Sequence, residues 1–186
     1  MPDFDLRPED ACFMLVDVQE KFLGPIPLIA PDQPVGRMLG VLLEGILSFP
    51  LPIIACEQYP KGLGPTLPHL AKLLGSTPRL AKTAFSSLDD APTLNALADL
   101  GRRQVIVAGI EAHACVLAGV ADLQRRGYQA IVAADAIASR NPEHAALAVM
   151  AMQQLGALCL PTESILLRLQ RNASGERFKK ISALIR

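Results

Sequence analysis

The stretch from Gln104 to Val116 contains the pattern that most constrains the fold of this chain. Val105–Ala108 is a short apolar run rich in β-branched residues, which is typical of a buried strand in a parallel sheet. Gly109 ends the run, and after a turn the apolar residues of Cys115–Arg126 are spaced for one buried face of a helix. The pattern predicts a strand followed closely by a helix, with Cys115 at the start of the helix.

Apolar runs and helical patterns alternate along nearly the whole chain. The predicted strands are Ala11–Val16, Pro52–Cys56, Arg79–Ala81, Val105–Ala108, Gln129–Ala134 and Ala157–Leu160. The predicted helices are Val35–Ser48, Thr66–Leu74, Pro92–Leu100, Cys115–Arg126, Pro142–Leu155, Thr162–Arg171 and Glu176–Ile185. Because strands that are apolar on both faces need helices on both sides, this order predicts a three-layer α/β/α fold with a mostly parallel six-stranded sheet.

Length and charge narrow the class of protein. The 186 residues are enough for one well-buried domain, residues 1–186, and no linker or repeat interrupts them. Eighteen basic and eighteen acidic residues balance, which gives no reason to expect nucleic acid as a partner. No apolar run approaches the roughly 18 residues of a membrane span. A mean hydropathy of +0.30 suggests that apolar surface is covered between subunits, so we expect a homo-oligomer.

The four cysteines indicate a reducing compartment. Cys12, Cys56, Cys115 and Cys159 are widely spaced and form no CxxC pair. Three of them lie in or beside predicted strands, where they are expected to be core thiols rather than disulfide partners. We therefore expect a cytoplasmic protein.

Polar residues follow several predicted strands at the point where each strand ends. They are Asp17, Glu57, Gln58, Lys82, Cys115 and Asp135. In a parallel sheet these positions meet at one rim, which is where ligands bind in such folds. Asp17, Lys82 and Cys115 form a coherent set of carboxylate base, orienting cation and nucleophile. Each also has an ordinary interpretation, as a turn residue, a solvated lysine and a small core filler.

The predicted position of Cys115 has a chemical consequence. Unpaired N–H groups and the positive end of a helix stabilise a thiolate, and cysteines placed there have pKa values of about 3.5–7.5, compared with about 8.5 for a free thiol. The same amide groups can stabilise an oxyanion. The sequence thus predicts a lowered pKa and fast alkylation for Cys115, unlike the other three cysteines.

Three segments resemble the isochorismatase-like cysteine hydrolase superfamily, in the correct order and over nearly the whole chain. They are Leu15–Gln19 with Phe22, Lys82–Ser86, and Gly109–Val116. The resemblance assigns the catalytic roles to Asp17, Lys82 and Cys115, and implies a Rossmann-like fold. The loop Glu57–Thr66 is most similar to the isochorismatase domain-containing subgroup, whose substrates are poorly defined.

Two departures within the family refine the expected function. Isochorismatases themselves lack the nucleophilic cysteine, so Cys115 points to the amidase-type branch. Nicotinamidases bind a metal through an Asp-x-His pair and a further histidine, whereas the matching loop here begins Glu57-Gln58-Tyr59. We therefore expect no metal and no cofactor.

The resemblance and the residues together predict a hydrolase that cleaves an amide or ureido C–N bond of a small molecule through a thioester. The resemblance implies a cis peptide bond between Ile110 and Glu111, which turns the Glu111 N–H toward an oxyanion hole shared with the Cys115 N–H. The residues expected to line the substrate pocket are Gln19, Phe22, Gln58, Tyr59, Phe85 and His113.

Two other functions remain open at this point. One is a ligand-binding or scaffold protein of the same fold with weak or absent turnover. The other is a redox sensor in which Cys115 is reversibly oxidised, although no second cysteine lies nearby in sequence to resolve it. The substrate is not specified by the sequence, because specificity depends on the loops Pro25–Pro34 and Gln58–Thr66.

Overall fold

A computed structural model describes residues 5–186, and it contains one six-stranded sheet in which every neighbouring pair is parallel. The strands are β1 Ala11–Val16, β2 Ile53–Gln58, β3 Arg79–Lys82, β4 Gln104–Ile110, β5 Gln129–Ala138 and β6 Leu158–Leu160. Their order across the sheet is β3-β2-β1-β4-β5-β6. The predicted three-layer α/β fold is therefore confirmed.

Helices connect the strands, as the alternation predicted. They are α1 Pro34–Ile46, α2 Pro60–Leu63, α3 Pro68–Leu74, α4 Ala91–Asp99, α5 Leu117–Arg125, α6 Pro142–Gln154, α7 Thr162–Gln170 and α8 Gly175–Leu184. Short 3₁₀ turns at Glu20–Phe22 and Pro27–Ile29, and a π-helical turn at Ala112–Val116, complete the described elements. The sequence did not predict α2, which is a single turn. Within residues 5–186, no helix combines the length and apolar character needed to cross a membrane.

Two apolar cores cover the two faces of the sheet. Alternate residues of β1 divide between them, with Phe13 and Leu15 in one core and Met14 and Val16 in the other. Helices α1, α3, α7 and α8 pack on the first face, and α4, α5 and α6 pack on the second. This division explains why the strands carry no polar alternation.

The direction of the chain across the sheet reverses between β1 and β4. From β1 the chain moves outward through β2 to β3, and then returns to place β4 on the other side of β1. The carboxyl ends of β1 and β4 therefore border the crevice at which ligands bind in parallel sheets. Asp17 follows β1 directly, and Cys115 lies in the turn after β4.

Two predicted rim carboxylates have structural roles instead. β5 extends to Ala138, four residues beyond its predicted end, so Asp135 lies inside the strand. Its Oδ1 accepts hydrogen bonds from the backbone N–H and hydroxyl of Thr162, at 2.8 and 2.7 Å. Glu57 Oε1 accepts the same pair of bonds from Thr66, also at 2.8 and 2.7 Å. Asp135 thereby fixes Thr162, the first residue of α7, and Glu57 fixes Thr66, just before α3.

β1 and β4 approach each other too closely at one position for any side chain. Gly109 pairs with Val16 and has a φ of 131°, and a Cβ atom there would lie 2.0 Å from the Val16 carbonyl oxygen. A glycine is therefore required at this position, directly beside the carboxyl end of β1.

We expect Gly109→Ala to lower the free energy of unfolding by about 3 kcal/mol or more, because it adds both backbone strain and a clash. Gly40→Ala is the matched control, since Gly40 lies within α1 with no atom within 4 Å of the added methyl group. That substitution should raise stability by up to about 1 kcal/mol. Urea unfolding of both variants measures the difference, and equal effects would contradict the close approach at Gly109.

Candidate active site

A buried ion pair lies at the switch point of the sheet. Lys82 is the last residue of β3, and its Nζ lies 2.7 Å from Oδ2 of Asp17. The two side chains are 0% and 1% exposed. A buried pair of this kind persists only when its remaining polar atoms are also satisfied.

The Lys82 ammonium is surrounded by oxygen atoms. Besides Asp17, it donates to Oε1 of Gln58 at 2.6 Å and to the carbonyls of Ala84 and Phe85 at 3.2 and 3.3 Å. Gln58 is held in turn, since its Nε2 donates to the Thr83 carbonyl at 2.8 Å. The end of β2 and the loop after β3 therefore surround the Lys82 ammonium and fix its position.

Asp17 has an unusual backbone conformation that fixes its carboxylate. Its φ is 55°, in the left-handed region, and its N–H donates to the Cys56 carbonyl at 3.1 Å. Burial raises the pKa of the Asp17 carboxyl, and the nearby Lys82 charge and Cys115 thiol oppose this rise. Besides the Lys82 ammonium, the Cys115 thiol and the Gln58 backbone lie close enough to the carboxylate to act on its pKa. The carboxylate can therefore accept a proton.

Cys115 lies in the π-helical turn Ala112–Val116 and is 7% exposed. Its Sγ is 3.9 Å from Oε1 of Gln58. Burial, followed by the negative charge of Asp17, raises the pKa of the Cys115 thiol to about 12. The predicted lowering of this pKa is wrong. The helical turn starts at Ala112, three residues before the predicted start, so Cys115 lies inside the turn and is buried there.

The turn before Cys115 has the backbone geometry that the resemblance implied. The peptide bond between Ile110 and Glu111 is cis. The Glu111 carboxylate is bound by Arg140, with Nε 2.8 Å from Oε1, and its Oε2 lies 3.5 Å from Nε2 of His113. Glu111 thus connects the loop after β4 to the loop after β5.

A cavity of about 320 Å³ opens above the cysteine. Its lining residues are Lys21, Phe22, Pro25, Gln58, Leu63, Phe85, Glu111, Ala114, Cys115 and Arg140. The predicted pocket residues Phe22, Gln58 and Phe85 are among them. The predicted pocket residues Gln19, Tyr59 and His113 are not.

The three exceptions lie outside this cavity. Gln19 is fully buried, donates to the carbonyls of Gln58 and Gly64 at 3.0 and 2.7 Å, and accepts from the Gln58 N–H at 2.8 Å. Tyr59 is 55% exposed and lines a separate cavity. Nδ1 of His113 lies 2.9 Å from the hydroxyl oxygen of Ser139. Gln19 therefore positions the end of β2 rather than contacting the substrate pocket.

Five lining residues were not predicted from the sequence, namely Lys21, Pro25, Leu63, Ala114 and Arg140. Pro25 and Leu63 lie in the two loops expected to determine specificity, so their region was predicted. Arg140 follows β5, and it was missed because β5 was predicted to end at Ala134. The actual end at Ala138 would have placed Arg140 just past a strand.

The part of the chain that the structure describes holds no cluster of three or more His, Cys, Asp or Glu side chains arranged to bind a metal. Its four cysteines are free thiols.

Comparison with known proteins places the chain in a family. Residues 11–164 match the model of the isochorismatase domain. Human isochorismatase domain-containing protein 2 is 39% identical over 189 residues, covering 96% of this chain and 84% of that protein. The structure of MAR1 ribonuclease from Caenorhabditis elegans is 34% identical, covers 97% of this chain and 91% of that one, and has a TM-score of 0.87. YcaC from Pseudomonas aeruginosa, solved with hexane-2,5-diol and covalent acrylamide, is 25% identical with the same coverage and a TM-score of 0.90. The chain therefore belongs to the isochorismatase family and has the hydrolase fold of that family.

Proposed function

We propose that this protein is a cysteine-dependent hydrolase that cleaves an amide or ureido C–N bond of a small molecule. The observation that carries the proposal is the position of Cys115, which lines the cavity while its thiol lies beside the ion-paired carboxylate of Asp17. A nucleophile next to a base that is oriented by a third group is the arrangement that covalent catalysis requires.

The first step is a proton transfer. Because the pKa of the Cys115 thiol is raised to about 12, the resting nucleophile is a neutral thiol. The raised pKa of Asp17 makes its carboxylate a stronger base than an ordinary aspartate. Asp17 takes the thiol proton as Sγ attacks the substrate carbonyl carbon, and the carbonyl electron pair moves to oxygen. Gln58 accepts a hydrogen bond from Lys82 and lies near Sγ, so it helps to hold the Asp17–Lys82 pair and the Cys115 thiol in position.

The remaining steps return the enzyme to its starting state. The backbone N–H groups of Glu111 and Cys115 stabilise the tetrahedral oxyanion. The oxyanion collapses, the C–N bond breaks, and protonated Asp17 gives its proton to the departing amine, which leaves a thioester on Cys115. Asp17 then takes a proton from water as the water attacks the thioester carbonyl. The C–S bond breaks, the carboxylic acid product leaves, and Asp17 returns the proton to the Cys115 sulfur. Lys82 stabilises the Asp17 carboxylate throughout, and no step uses a metal or cofactor.

The expected setting of the protein follows from its surface and its thiols. Leu147 and Met150 on α6 and Leu155 directly after it are large exposed apolar side chains, which favours self-association. All four cysteines are free thiols, which favours a reducing compartment such as the cytoplasm. We expect a small-molecule substrate, with no nucleic acid or membrane as partner.

Two other functions have less support. A ligand-binding or scaffold protein would have no use for a base beside the thiol. A redox sensor needs a second thiol or another group to resolve oxidised Cys115, and the buried Cys56 contacts Thr93 at 3.9 Å instead.

A screen of amides and ureides with Cys115→Ala tests the proposal. We expect at least one compound to be hydrolysed in the presence of a chelator, and the variant to be slower by about a thousandfold or more. Cys159→Ala is the matched control, because that half-buried thiol lies on β6 outside the cavity, and its activity should equal that of the wild type. A short RNA belongs in the same screen because one relative is a ribonuclease. If the Cys115→Ala variant still hydrolyses a compound as fast as the wild type does, the mechanism is contradicted.

The pH dependence tests the role of Lys82. The Lys82 charge lowers the pKa of Asp17, so removing it in Lys82→Met should raise that pKa. Activity requires the carboxylate form and is lost as the pH falls, so the acid side of the profile of log(kcat/KM) should move to higher pH in the variant. Lys61→Met removes an exposed lysine outside the cavity and should leave the profile in place. If the pH at which log(kcat/KM) falls on the acid side is the same in Lys82→Met as in the wild type, then Lys82 does not act through Asp17.

A further inference from the structure

The charges that line the Cys115 cavity do not balance. Its lining contains two cationic side chains, Lys21 and Arg140, and one carboxylate, Glu111. Asp17 and Lys82 lie behind this lining and neutralise each other. The cavity therefore has an excess of positive charge, in a chain whose overall formal charge is zero.

Arg140 uses only one edge of its guanidinium group on Glu111. Its Nε makes the contact, at 2.8 Å to Oε1 and 3.3 Å to Oε2. The side chain is 64% exposed, and within residues 5–186 no hydrogen bond or ion pair of its two terminal nitrogens is found. Those nitrogens form the planar edge that binds carboxylates with two parallel hydrogen bonds.

Lys21 supplies the second positive charge of the lining, from the segment that follows β1. It lies in the 3₁₀ turn Glu20–Phe22, is exposed, and forms no ion pair within the described residues. Its acidic neighbour Glu20 is directed to Gly64 and does not line the cavity. Among residues 5–186, the only carboxylate of the lining is Glu111, and Arg140 already binds it. No other acidic side chain of the described lining is therefore available to neutralise the Lys21 ammonium.

The rest of the lining is mainly apolar. Phe22, Leu63 and Phe85 contribute carbon surface to this lining. A ligand that fills this cavity needs an apolar body and a negatively charged end, with the reacting carbonyl near Sγ of Cys115.

We propose that the substrate carries a carboxylate that Lys21 and Arg140 bind at the outer part of the cavity, so that the protein acts on carboxylate-bearing amides or ureides. This inference rests on the proposed function, because the carboxylate belongs to the molecule whose C–N bond Cys115 attacks. Arg140, while bound to Glu111, sets the distance between the recognised anion and the reacting carbonyl.

Two alkylating reagents that differ in charge test the inference without a known substrate. Iodoacetate and iodoacetamide have the same reacting carbon and leaving group, but only iodoacetate is anionic. The quantity to measure is the ratio of their alkylation rates at Cys115, read by peptide mass spectrometry at one alkaline pH. The neutral reagent corrects each variant for changes in thiol pKa and folding.

We expect Lys21→Gln and Arg140→Gln each to lower the iodoacetate-to-iodoacetamide ratio by about threefold or more, as the loss of one nearby charge in a partly buried site implies. Arg140→Lys keeps the charge and should retain more of the ratio than Arg140→Gln. Lys180→Gln is the matched control, because it removes one exposed charge on α8, outside the cavity, and should leave the ratio unchanged. Salt at about 1 M should reduce the differences between variants.

An unchanged ratio in both Lys21→Gln and Arg140→Gln would overturn the inference while leaving the proposed nucleophile intact. The proposed function fails in a different way. If neither reagent modifies Cys115 of the wild type, then the cavity does not give access to a reactive thiol, and both proposals are wrong.

Discussion

The ion pair between Asp17 and Lys82 is the interaction on which the rest of the site depends. Removing two charges from water is unfavourable by several kcal/mol for each ion, so the pair must be compensated by its surroundings. The Lys82 ammonium obtains this compensation from Gln58 and from the carbonyls of Ala84 and Phe85. These contacts tie the edge strand β3 and its loop to the centre of the sheet, and they place Phe85 at the cavity.

Burial and the charge of Asp17 together determine the protonation state of the Cys115 thiol. A helix end alone would favour a permanent thiolate, but burial and the Asp17 charge raise the pKa of Cys115 to about 12. In the proposed mechanism the thiol therefore reacts by transferring its proton to Asp17 during attack. The base must then be a buried carboxylate with a raised pKa, and a lysine is needed to keep that carboxylate charged.

The fold, and the meeting of Asp17, Lys82 and Cys115 at one rim of the sheet, could be predicted from local patterns, whereas their catalytic roles were proposed from the resemblance to a family. Alternating strands and helices determine a parallel sheet, and the residues after its strands meet at one rim. The side chains of Gln19 and His113 could not be assigned in the same way, since distant partners such as Gly64 and Ser139 decide where they point. Asp135 interrupts an apolar run, so β5 was predicted to end too early. For that reason Arg140 was not recognised as a residue that follows a strand. The pKa of Cys115 depends on burial, which spacing does not reveal.

The central claim is that Cys115 carries the acyl group of the substrate as a thioester. The most direct measurement is peptide mass spectrometry on the wild-type protein, quenched in acid at successive times during turnover of an amide found to be a substrate. The peptide that contains Cys115 should gain the mass of the acyl group, and the peptide that contains Cys159 should not. Turnover during which the Cys115 peptide is unmodified at every time would contradict covalent catalysis by this residue.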